Sequence, residues 1–508
     1  MPPFHPLRAW VGVAAVVAAA ASQPAAARPP HGVGGLAADL GWGDVSCNGA
    51  TAVTTPHVDR LAREGRRFTS GYASASTCTP TRYSFLTGEY AFRRQGTGVA
   101  PPNAAAIVRP GTSTVASVAH DAGYATAIVG KWHLGLGEPG TGPDWNGTLA
   151  PGPLEVGFDH CFILPTTNDR VPPVFVEGRH VKGLDPADPL WVGNAKPTPD
   201  LPDGESLRSS LAMDWSHGHN QSVHDGIGRI GFCTGGETAR FRDEELADTW
   251  AREAVRWIEA HAAGPFFLFL ASHDLHVPRV PHPRFRGATT MGPRGDCIVE
   301  FDWTVGQVVA ALERLGIAQQ TLVIVCSDNG PVLDDGYKDG AVEKLGDHRP
   351  AGPFRGWKGT VWEGGTRTPF VAWWPGRIAS GTSAEIVCTL DLGKSLATLA
   401  GARPPPGAFP DAVDVSAVLV GKPGAKGRDA IVLQDNGTGV FGYRSGAWKL
   451  VRVPQGRKRG GYGGDPGSAG DSLYDLDTDP GETTDLRAMH PDIVARLAAE
   501  LDRVTAAR

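Results

Sequence analysis

Cysteine is scarce and unpatterned in this chain. Seven are spread over 508 residues, at positions 47, 78, 161, 233, 297, 326 and 388. No two are spaced as CxxC, which excludes a zinc ribbon and a small disulfide-held scaffold. Beyond the N-terminus no apolar run approaches the roughly 18 residues that a membrane span needs. Dense basic runs are also missing: the formal net charge is −6 and the richest stretch is GRKRGG at 456–461, so no nucleic-acid surface is expected. Internal repeats are absent. A chain that is 41% hydrophobic and 20% charged is neither disordered nor a coiled coil. Glycine and proline are plentiful instead, 67 and 42 residues, which predicts long irregular loops of the kind that build sites.

The first 27 residues read as a secretory leader, with Arg8, an apolar stretch over 10–21 and Ala25-Ala26-Ala27 as the cleavage site. The mature chain is therefore expected to start near Arg28 and to be secreted or periplasmic. In such a compartment the odd cysteine count leaves at least one thiol outside any disulfide.

Four apolar runs end abruptly in polar residues: 124–129 before GKWHLG, 265–271 before SHDLH, 322–326 before SDNG, and 370–374 before PGR. Runs of this kind suit strands buried on both faces. Helical periodicity over 243–261 and 297–315 lies between them, so the body is expected to be α/β with a mainly parallel sheet flanked by helices. Ligands of such sheets sit off the carboxyl ends of the strands, where the first three runs place Lys131, His133, His273, Asp274, His276, Asp328 and Asn329. After Ala402 the composition changes to RPPPGAFPD. The boundary predicts a catalytic domain over 28–402 and a smaller C-terminal subdomain over 403–508. The latter carries an antiparallel sheet and a helix over 490–504. The stretch 168–236 is polar and lacks periodicity; it reads either as an elaborated substrate loop or as loosely structured.

Cys78-Thr79-Pro80-Thr81-Arg82 opens a segment in which Pro80 suits the first turn of a helix and Gly88 its stop. Cys78 then sits at a helix N-terminus, where backbone N–H groups favour an anion. C-x-P-x-R arises by chance about 0.05 times in a chain of this composition.

With ADLGWGDVSCNG (38–49), CTPTR and LTG (78–88), GKWHLG (130–135), ASHDLHVP (271–278), SDNGP (327–331), WKGTVWEGGTR (357–367) and LYDLDTDPGE (473–482), the chain resembles the sulfatase family of the alkaline-phosphatase-like superfamily over nearly its whole mature length. The resemblance implies that a maturation enzyme converts Cys78 to formylglycine, whose hydrate attacks sulfur. It further implies that Ca²⁺ is held by Asp39, Cys78, Asp328 and Asn329. Lys131, Lys358 and Arg82 would neutralise the sulfate, His276 with Lys358 would protonate the leaving oxygen, and His133 would deprotonate the second hydroxyl. His273 matches no catalytic position as firmly and is a supporting candidate.

The resemblance is broken at one place. Sulfatases usually carry two consecutive aspartates before LG, and here Ala38 takes the first position, removing a calcium oxygen and a negative charge. Gly32, Gly34 and Gly35 also stand where β-branched residues belong in a central strand, which predicts a packing deficit. Substrate contacts are expected from loop residues Asn168, Asp169, Arg170, His217, His219, Asp334, Asp335 and Lys338. Their polar character suits a sulfated carbohydrate, or an aryl sulfate, as the partner. A phosphodiester or phosphonate hydrolase of the same superfamily, and an impaired protein that only binds sulfated glycans, are compatible with the same residues.

Overall fold

The computed structural model describes residues 30–436, 439–456 and 467–506. The expected leader and most of the basic run at 456–461 lie outside the described residues. A ten-stranded sheet organises the body, in the order Gly381–Ser383, Arg66–Phe68, Phe370–Trp373, Thr321–Ser327, His31–Ala37, Phe266–Ala271, Ala125–Lys131, His160–Leu164, Val176–Glu177, His180–Val181. The five strands from Thr321–Ser327 to His160–Leu164 are mutually parallel, and Phe370–Trp373 joins antiparallel. The four apolar runs are thus strands of this sheet, three of them parallel at its centre, where His31–Ala37 lies between two of them. Helices Cys78–Thr87, Leu246–His261 and Pro293–Arg314 pack around it. The helix expected from residue 243 begins with a 3₁₀ turn, Asp243–Glu245, before its α-helical part.

The glycine-rich segment is the strand His31–Ala37, bonded on both sides at the middle of the sheet. The expected deficit is largely filled by neighbouring rings. A Cβ at Gly32 would meet Phe267 at 3.4 Å and one at Gly34 would meet Phe85 at 3.7 Å, while Phe85 and Phe269 pack with centroids 4.5 Å apart. Aromatic volume borrowed from the helix Cys78–Thr87 and the adjacent strand replaces the missing side chains, so context overrides the weak propensity of this strand.

A second sheet of four antiparallel strands, Ala430–Gln434, Phe441–Ser445, Trp448–Val453 and Gly470–Asp475, carries the helix Pro491–Ala506. It is tied to the body through a buried charge cluster: Lys449 Nζ sits 2.9 Å from Glu363 and 2.8 Å from Glu482, and the Tyr72 hydroxyl donates to Glu363 at 2.6 Å. Segment 168–236 is built rather than loose. It contains the paired strands Trp191–Gly193 with Phe232–Thr234, and Val223–His224 with Ile227–Gly228, and it buries Asn168, Asp169 and His219. All seven cysteines are free thiols. No described helix is long and apolar enough to cross a membrane.

Candidate active site

Four adjacent parallel strands deliver the site from their carboxyl ends, the position where such sheets bind ligands. Just past these ends, His31–Ala37 leads to Asp39, Ala125–Lys131 to His133, Phe266–Ala271 to His276, and Thr321–Ser327 to Asp328 and Asn329. Asp39 and His133 both have positive φ, 61° and 54°, a conformation that costs non-glycine residues energy and recurs at functional sites. The helix Cys78–Thr87 points its N-terminus at the same place and ends at Gly88 in the left-handed region, with every helical residue buried.

Cys78 Sγ lies 3.2 Å from His133 Nδ1. The other ring nitrogen, Nε2, donates to the Ala100 carbonyl at 3.1 Å, which leaves Nδ1 as a lone pair aimed at residue 78. Thr79 clamps the same loop, its hydroxyl donating to the His133 carbonyl and accepting from the Ala100 amide, both at 3.1 Å. Burial, reinforced by Arg170 and Lys131, holds the His133 pKa well below that of free imidazole, so the ring is held neutral.

Charges alternate around this centre. Arg82 donates from Nε and Nη2 to Asp328 Oδ2, at 3.0 and 2.8 Å, and from Nη1 to the Lys131 carbonyl at 2.7 Å. Lys358 Nζ bridges Asp39 at 2.9 Å and Asp335 at 2.8 Å. Burial opposes ionisation of Asp39, but Lys358 and Lys131 overcome it and keep the carboxylate charged. The Lys131 ammonium is fully buried without a hydrogen-bond partner, 3.6 Å from Asp328, and burial lowers its pKa against the pull of Cys78 and Asp328. A buried cation that makes no hydrogen bond, beside a helix N-terminus, is a place for an anion. Asn329 donates to Asp39 Oδ1 at 2.7 Å while its own buried Oδ1 has no partner.

His276 has a ring nitrogen within 4.8 Å of carboxylate oxygens of Asp39 and Asp335, and its Nδ1 donates to the Val277 carbonyl at 2.8 Å. Burial, with Lys358 and Lys131 close by, lowers its pKa to about 4. The expected substrate residues divide into four groups. Asp169 accepts from Arg170 at 2.8 Å, meets His219 Nε2 at 2.9 Å and lies 3.9 Å from His276, so this trio lines the site. Asn168 instead braces it, donating to the His276 and Pro278 carbonyls at 3.2 and 3.1 Å. Asp335 reaches inward to Lys358, whereas Asp334 bonds Ser216 at 2.7 Å, His217 is exposed, and Lys338 turns out to Asp214 at 2.8 Å. His273 serves the fold, accepting from the Trp250 indole at 3.1 Å. Thr79 and the Ala100 carbonyl were not expected; a backbone acceptor that sets a histidine tautomer leaves no residue-type signal.

Residues 36–402 match the family model described as Sulfatase. The chain is 43% identical over 472 residues to an N-acetylgalactosamine-6-O-sulfatase from Bacteroides thetaiotaomicron, with 92% of each chain covered. It is 33% identical over 482 residues to human arylsulfatase A, covering 92% of this chain and 85% of that one. A solved structure from work on the metabolism of multiple glycosaminoglycans by Bacteroides thetaiotaomicron superposes with a TM-score of 0.92 at 41% identity, over 94% of this chain and all of the other.

Proposed function

The chain belongs to the sulfatase family of sulfuric ester hydrolases, and from that premise we propose that its substrate is a sugar sulfated at a 6-hydroxyl, N-acetylgalactosamine 6-sulfate being the leading case. The likeness to the N-acetylgalactosamine-6-O-sulfatase, which runs the length of both chains, carries this reading. The trio of buried Asp169 and His219 with the partly exposed Arg170 beside His276 supports it, because carboxylate, guanidinium and imidazole together match the directed hydrogen bonds of sugar hydroxyls. Sulfate release from N-acetylgalactosamine 6-sulfate is expected to exceed release from its 4-sulfated isomer by at least about tenfold in kcat/KM. Hydrolysis of nitrophenyl sulfate with no turnover of any sulfated sugar would refute the substrate and leave the family assignment standing.

Cys78, matured to formylglycine by a dedicated enzyme, would supply the attacking hydroxyl from its hydrate. His133 is placed to take a proton at that position through Nδ1, its tautomer fixed by Ala100. Lys131 and Lys358 offer positive charge to the sulfate oxygens, while Arg82 orients the Asp328 carboxylate and closes the site from below. His276 is neutral in the resting site, so the proton for the leaving oxygen is assigned to the Lys358 ammonium, which lies with His276 against the Asp39 and Asp335 carboxylates.

A hard cation fits the remaining donors. The orphaned Asn329 Oδ1 and the adjoining Asp39 and Asp328 carboxylates are oxygen ligands of the kind calcium selects, and together with residue 78 they would hold it. When bound, Ca²⁺ would add positive charge against the sulfate. Ala38 is buried next to Asp39 in the chain, its amide donating to the Asp274 carbonyl at 2.7 Å. Ala38→Asp is expected to tighten calcium binding, since such sites tune affinity through ligand charge. It should lower the melting temperature of chelator-treated protein by crowding carboxylates, and raise it above wild type when calcium is added. A calcium titration followed by thermal unfolding reads both effects; identical curves for the two proteins would show that position 38 does not face the cation.

A further inference from the structure

Every group that grips the ester is sunk beneath the surface: Cys78 is 1% exposed, Lys131 and Lys358 0%, and His276 3%. A sulfated sugar must enter end-on, and any chain attached to it has to run across the rim. The turn containing Lys358 is tied by its backbone to two segments of the site and carries an exposed residue beside this lysine. The Lys358 amide donates to the Pro331 carbonyl at 2.9 Å, two residues beyond Asn329, and the Gly359 amide donates to the Ser76 carbonyl at 2.8 Å, two residues before Cys78.

Trp357 precedes Lys358 in this turn and is 46% exposed. Its backbone is pinned, the amide donating to Thr360 Oγ1 at 3.2 Å and the carbonyl accepting from the Thr360 amide at 3.0 Å. Among the described residues no ring or guanidinium packs on its indole. Five positions later Trp362 is 1% exposed with Arg355 stacked 3.7 Å from its ring, so one short segment sends one tryptophan inward and presents the other outward. Single exposed apolar residues are ordinary on protein surfaces. Trp357 differs from Trp191, Leu207, Val342, Val413 and Met489, the other large exposed ones among the described residues, in adjoining a lysine of the active centre along the chain. A large rigid indole held on a fixed backbone is suited to an amphipathic partner with one flat apolar face, and a pyranose ring offers that through its C–H groups.

We propose that Trp357 is a stacking platform for the sugar unit adjoining the sulfated one, so that the enzyme favours sulfated oligosaccharides over the free sulfated monosaccharide. The proposal rests on the carbohydrate reading above. It is tested with Trp357→Ala and Trp357→Phe on two substrates, a 6-sulfated monosaccharide and an oligosaccharide ending in the same unit. Trp357→Ala is expected to raise KM for the oligosaccharide about tenfold more than for the monosaccharide while kcat falls little, and Trp357→Phe to recover most of the loss. Equal losses on both substrates, or a fall confined to kcat, would mean that Trp357 acts through Lys358 and would overturn the platform. No change on either substrate overturns it as well. If wild-type protein turns over nitrophenyl sulfate but neither sugar, the carbohydrate reading fails first and takes the platform with it.

Discussion

Cys78→Ala is expected to abolish sulfate-ester hydrolysis, on the order of 10⁴-fold or more, while leaving a folded protein. The side chain contributes little to packing that alanine does not also fill. Its single polar contact is the 3.2 Å approach to His133 Nδ1, and losing it strands one buried acceptor, about 1–3 kcal/mol. Activity and stability therefore separate at this position. Circular dichroism melts and sulfate release on the purified variant measure the two effects. Turnover near the wild-type level would remove residue 78 from the chemistry altogether. Because Cys78 is 1% exposed at the buried start of its helix, the proposed maturation would require an enzyme to reach it before that helix packs. Wild-type protein made in a host without the machinery should then be folded, inactive and unmodified at residue 78 by peptide mass.

Much of this centre was legible because its strands announce themselves. Runs such as 322–326 are apolar enough to read as buried in a parallel sheet, and topology then fixes that Asp328, His133 and His276 meet, however distant in the chain. The segment 31–37 was not legible in the same way, since its packing is supplied by Phe85 and Phe267, which no local pattern reveals. The substrate loops were legible only by polarity, and polarity does not say which way a side chain turns. Asp335 reaches Lys358, while Lys338, three residues on, pairs with Asp214 at the surface. The tautomer of His133 depends on the carbonyl of Ala100, and the orphaned state of Lys131 depends on the geometry of every neighbour. Features of that kind belong to tertiary structure alone.

Asp328 is expected to be the position where one charge does the most for fold and function together. Its Oδ2 accepts twice from Arg82 and stands 3.6 Å from Lys131, its Oδ1 accepts from the Asp39 amide at 3.2 Å, and all of these side chains are buried. Removing one partner of a buried pair costs about 3–5 kcal/mol, because the cation left behind keeps its desolvation penalty and loses its counter-charge. The two cations here respond differently. Lys131, already lowered in pKa by burial, can shed its proton, but Arg82 cannot, so the cost falls on the guanidinium. Asp328→Asn keeps the shape and one acceptor oxygen and removes only the charge. It should therefore lower the melting temperature by several degrees and the rate by roughly 10²–10³-fold, through a misplaced Arg82 and a weakened cation site. Asp328→Ala should be worse on both counts. Melting temperature and sulfate release for the pair of variants separate charge from packing: an asparagine variant as stable as wild type would show that hydrogen bonds alone hold Arg82 and that its ion pair with Asp328 contributes nothing to the fold.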